Sequence, residues 1–115
     1  MNLEGLTVLC AASSYEQKFY LNDRFAALPD QIKQELQILC VMYTEEIGGV
    51  LTLAFEEDGT LVLQSAADDA DYLYDEVSAG LLVGEIRRKR QELFESLSLY
   101  YETFKLGRGL NAAGD

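Results

Sequence analysis

The chain has 115 residues, of which 49% are hydrophobic, and a formal net charge of −11; this is enough apolar matter for one core, behind a surface that repels nucleic acid and anionic membrane. It contains no histidine and two cysteines, Cys10 and Cys40. That composition excludes Ser–His and Cys–His catalysis, histidine-ligated zinc and a structural zinc site, and leaves carboxylates, tyrosines, lysine or a hard cation as the available chemistry.

Thr7–Ala12 is a short apolar run with β-prone Val8, closed by Ser13-Ser14, and predicts a strand. Tyr15–Leu21 reads two ways. Phe19 and Leu21 alternate about Tyr20 as in a strand, whereas Tyr15, Phe19 and Asn22 fit a helical face. Phe25–Leu28 suggests a helical turn ahead of Pro29. A helix over 30–47 follows, with Asp30 as N-cap or first-turn acid and an apolar stripe of Ile32, Leu36, Leu39, Cys40 and Tyr43. Gly48-Gly49 ends it, because glycine accepts the left-handed backbone of a helix C-terminus.

Val50–Phe55 and Leu61–Gln64 predict a hairpin over about 50–65, turned by Asp58-Gly59. Leu51, Leu53 and Phe55 share one side; Val50, Thr52 and Ala54 line the other, which is hardly polar and calls for a second cover. Ser65–Asp71 is an acidic connection. A long helical pattern then runs over about 75–105, with a stripe of Ile86, Leu93, Leu97, Tyr100 and Phe104 and weak points at Ser78–Gly80 and Gly84. Gly107 and Gly109 end the pattern, and 107–115 reads as a frayed tail. The expected architecture is therefore a single α+β domain over 1–115. In it, a small antiparallel sheet, made of the hairpin and an N-terminal strand, packs on a central and a long C-terminal helix.

The acidity is local. Between Lys33 and Arg87 twelve acids meet no base, whereas eight acids face nine bases in the rest of the chain. Arg87-Arg88-Lys89-Arg90 ends that interval. Four consecutive helical residues point all round the axis, so they form no groove-facing basic row, and nucleic-acid binding is not expected. Docking of this collar on the acidic middle of a second copy is. Met1–Thr7 carries Glu4 and no basic residue, unlike a signal peptide, so a cytoplasmic location with reduced, buried cysteines is expected. No apolar run is long enough for a membrane span, and no cofactor is implied.

Several fragments together carry a resemblance: Tyr15-Glu16-Gln17-Lys18 with Tyr20, Leu28-Pro29 before Ile32-Lys33 and Glu35-Leu36, and Tyr43-Thr44-Glu45-Glu46 with Gly48-Gly49. The Asp58-Gly59 hairpin follows, then Glu92-Leu93-Phe94-Glu95-Ser96-Leu97 before Tyr100-Tyr101. Over roughly 15–104 the chain resembles a family of small uncharacterised clostridial-type bacterial proteins of unknown function. The resemblance implies a bacterial, cytoplasmic, stand-alone domain and transfers no mechanism or site.

Candidate sites are few. Tyr15, Lys18 and Tyr20 place a cation among aromatic rings. Glu45 and Glu46 end the middle helix against its dipole, a placement that can mark a partner's lysine or arginine, or a general acid–base carboxylate. Asp68, Asp69, Asp71, Asp75 and Glu76 are the candidate ligands for calcium or magnesium, although Leu73 and Tyr74 fall where an EF-hand loop needs an oxygen ligand and a glycine. The favoured reading is a non-enzymatic protein–protein interaction module, adaptor- or chaperone-like, that binds a second copy of itself or a basic protein. The competing one is a carboxylate-based or divalent-cation-dependent enzyme built on the acids of the 45–76 region.

Overall fold

The structure, a computed structural model, describes the backbone of residues 5–114 and the side chains of residues 5–103. Its elements are β1 (Thr7–Ser13), β2 (Lys18–Leu21), a 3-10 turn (Asp23–Phe25), α1 (Asp30–Ile47), β3 (Val50–Phe55), β4 (Leu61–Ala66), α2 (Glu76–Lys89) and α3 (Gln91–Gly114). The fold is α+β: one antiparallel sheet ordered β2-β1-β3-β4, with helices packed on it.

The ambiguous stretch at 15–21 is resolved as a turn over 15–17 followed by a strand over Lys18–Leu21. β2 returns along β1, pairing Ser13 with Lys18 and Cys10 with Leu21, so the sheet has four strands where a hairpin and one N-terminal strand were expected. Gln17 takes φ 53 in the connecting turn. β1 also carries a bulge between Val8 and Cys10. Val8 pairs with Ala54 and Cys10 with Leu53, so the extra residue, Leu9, shifts the alternation and lets both Leu9 and Cys10 be fully buried.

On the inward face of the sheet Cys10, Ala12, Leu51, Leu53, Phe55 and Leu61 meet Leu36, Leu39, Cys40 and Tyr43 of α1. An aromatic cluster closes one end. The Phe55 and Tyr101 rings stack at 4.4 Å, and Phe25 lies 5.7 Å from Phe55 and 6.3 Å from Tyr101. The Tyr101 hydroxyl lies 3.2 Å from that of Thr7, tying α3 to β1. On the opposite face Thr52 and Ala54 are already buried within the single chain. The second cover expected there is not needed at the centre of β3, and the large exposed apolar side chains lie mainly on the helices.

The turns follow the local chemistry. At the hairpin, Gly59 takes φ 91 and the Thr60 N–H donates to Asp58 Oδ1. After α1, Gly49 takes φ 69, and a Cβ there would lie 2.9 Å from the Tyr74 ring. Asp75 caps α2 by accepting the N–H groups of Val77 and Ser78.

The expected long helix over 75–105 is two helices. The backbone leaves helical geometry at Arg90 (φ −112, ψ 25), not at the glycines that looked weak. An unbroken helix of that length would run about 45 Å against strands of about 20 Å. The break lets Ala79 of α2 and Leu93, Phe94 and Leu97 of α3 reach the same core. Apolar spacing continues through Arg90 and so gives no sign of it. The backbone of α3 is helical through Gly107 and Gly109 as far as Gly114. The Phe104 side chain and those of the expected tail at 107–115 lie outside the described residues.

Candidate functional site

The sequence-predicted site residues do not form one site. Tyr15 sits in the β1–β2 turn and reaches the acidic connection: its hydroxyl accepts the Asp68 N–H at 2.9 Å and donates to Asp71 Oδ2 at 2.7 Å. The Asp68 N–H favours the ionised phenol, but the bond to the Asp71 carboxylate and the nearby negative charges outweigh it, so the phenol stays above its ordinary value. Lys18 and Glu45 line a depression of about 480 Å³ together with Gln17, Gln37 and Thr44. Tyr20 pairs with Ala11 on the other face of the sheet and is 55% exposed.

Three carboxylates of the acidic connection, those of Asp68, Asp71 and Asp75, bond the neighbouring backbone. Asp68 accepts the Ala70 N–H, Asp71 the Leu73 N–H, and Asp75 the Ser78 hydroxyl as well as the two capping N–H groups. The Ser78 hydroxyl and the capping N–H groups hold the Asp75 carboxyl below its usual range. Asp68, Asp69, Asp71 and Glu76 border a depression of about 430 Å³ with Ser65 and Tyr74. Among the described residues no three carboxylates or thiols converge as a metal would require.

Glu46 lies at a third place, the rim of a groove of about 410 Å³ between α1 and α2. The floor of the groove is Leu39, Tyr43, Leu82 and Ile86, and Ile38 and Met42 stand at its edge, more than half exposed. Ile38 and Met42 are four residues apart and lie beside the stripe that α1 turns to the sheet; their spacing was the signal that sequence reasoning missed. The rim charges pair within the chain: Lys89 with Glu85 on one helix, and Arg90 of the interhelical break with Glu35 of α1 at 3.5 Å. Lys89 holds the Glu85 carboxyl below its usual range. Two members of the basic collar are thus already engaged. Arg87 and Arg88 make no ion pair among the described residues.

Beneath the groove the Tyr43 ring is buried. Its hydroxyl faces Ser65 and Tyr74 without a well-formed hydrogen bond, and burial pushes the phenol up to about 12. Cys10 and Cys40 are free and fully buried, with their sulfur atoms 3.9 Å apart. Their hydrogen bond, together with burial, pushes the Cys10 thiol up, which disfavours the reactive thiolate. No helix among the described residues is long and apolar enough to cross a membrane.

Fold and surface thus define a small α+β domain whose sequence-predicted acids are spread over separate depressions and whose helices leave apolar side chains in water. The chain belongs to a family of unknown function, DUF6145, which it matches over residues 6–109. No curated protein and no solved structure matches it significantly.

Proposed function

We propose that this protein is a non-enzymatic protein–protein interaction module of the bacterial cytoplasm, adaptor- or chaperone-like, that works as a homodimer. The observation that carries the reading is the apolar surface left on α1 and α2: Ile38, Met42, Val77 and Leu81 are 58%, 61%, 72% and 71% exposed. Single exposed apolar residues are ordinary, but repeated ones on two adjacent helices, with Ile38 and Met42 at the edge of an apolar groove and Val77 and Leu81 on the outer side of α2, mark a contact surface. The chemistry around them supports binding over catalysis. The groove floor is apolar and two of its rim carboxylates, Glu35 and Glu85, are engaged in ion pairs.

Sedimentation equilibrium across a dilution series from about 1 to 100 µM tests the reading, a range set by micromolar self-association. The expected result is a mass that rises with concentration to that of two chains. A chain that keeps the mass of one copy throughout, with no dilution dependence, refutes it.

A further inference from the structure

We infer that two copies associate through α2, packed antiparallel on α2 of the second copy; this rests on the homodimer reading above. Tyr72, Leu73, Val77 and Leu81 are 94%, 93%, 72% and 71% exposed. Val77 and Leu81 are spaced by four and form a ridge on the outer side of α2, away from Ala79, which is buried in the core, and Tyr72 and Leu73 lie in the turn that leads into the helix. The flank of that ridge is open to a second backbone. A Cβ at Gly80 would meet nothing within 4 Å, and one at Gly84 only the Arg88 guanidinium at 3.8 Å. A neighbouring helix can therefore approach closely there and cover Val77 and Leu81.

Charge selects both the occupant and the direction. The ridge starts beside Asp75 and Glu76 and ends at Arg87 and Arg88, two cations without an ion pair among the described residues. A parallel mate would set the four arginines of the pair together, whereas an antiparallel mate sets Arg87 and Arg88 of each copy against Asp75 and Glu76 of the other. The 14 residues of α2 span about 21 Å, so both ends meet at once when the two-fold axis passes near Leu81 and Leu82. A two-fold contact uses the same patch twice, and α2 is self-complementary in that sense. The complementarity also accounts for the collar lying directly after the acidic interval.

Disulfide trapping tests this on the full chain. Leu81→Cys is expected to form a disulfide-linked dimer under copper–phenanthroline. The unmodified protein is the background, because its own thiols are fully buried. Leu99→Cys on α3, at a position 65% exposed, is expected to remain largely uncrosslinked. Arg87→Glu with Arg88→Glu is expected to raise the dimer dissociation constant at least about tenfold, and adding Glu76→Arg to bring it part of the way back. A dimer that crosslinks through Leu99→Cys but not Leu81→Cys, or that ignores the charge variants, overturns the α2 interface and leaves the homodimer standing. A chain that sediments as a monomer at every concentration overturns both.

Discussion

Tyr43 offers a test of the core that uses one atom. Its ring is 1% exposed, and burial pushes its phenol from 10.0 to about 12. Ionising it inside the fold means charging a group that water cannot reach. Because the folded value lies above the unfolded one, the neutral phenol's contribution is complete below pH 10. It declines as pH rises and is gone above pH 12. A gap of about two units corresponds to about 3 kcal/mol in full, and about half of that at pH 11.

Urea denaturation of the wild type and Tyr43→Phe at pH 9 and pH 11 isolates this contribution, since the remaining tyrosines ionise in both proteins. The wild type is expected to lose on the order of 1 kcal/mol more than the variant between the two pH values. At pH 9 the variant is expected to be at least as stable as the wild type, because the buried hydroxyl makes no well-formed hydrogen bond. Parallel losses with pH would refute the burial argument. A variant weaker by more than about 1 kcal/mol at pH 9 would show that Ser65 or Tyr74 rewards the hydroxyl.

Two further substitutions probe the frame that presents the surface. Phe25→Ala, which removes a fully buried ring from the aromatic cluster, is expected to cost about 3–5 kcal/mol in urea denaturation; a cost near that of an exposed control such as Tyr20→Ala, about 0.5 kcal/mol or less, would contradict the packing. Gly49→Ala places a side chain at φ 69 against Ala66 and Tyr74, and is expected to destabilise by more than about 1 kcal/mol. An unchanged melting temperature would show that the link between α1 and β3 is not tightly constrained.

Two elements were legible from their own residues. The helix over 30–47 announced itself by an apolar stripe closed by two glycines, and the structure has α1 over Asp30–Ile47. The hairpin was equally plain, because Asp58-Gly59 supplies the turn whatever packs around it. Such signals are short-range, carried by a repeat of 3.6 or 2 and by backbone freedom at one position. Their results survive tertiary context.

Other features needed partners distant in sequence. Lys18–Leu21 is a strand because β1 lies beside it, and the bulge at Leu9 exists because β3 demands that Cys10 face inward. The break at Arg90 answers to the length of the sheet and to Glu35, 55 residues earlier in the chain. Tyr15, Lys18, Tyr20, Glu45 and Glu46 shared a residue chemistry and little else; the fold distributes them over the turn at Asp68–Asp71, the depression beside α1, the outer sheet face and the groove rim. By itself, then, the sequence determined the class of fold, the helix and hairpin, and the segregation of charge, all properties of neighbouring residues. Only the tertiary structure decided which apolar residues stay in water and which members of the collar are already paired, because burial and ion pairing depend on what the rest of the chain brings alongside.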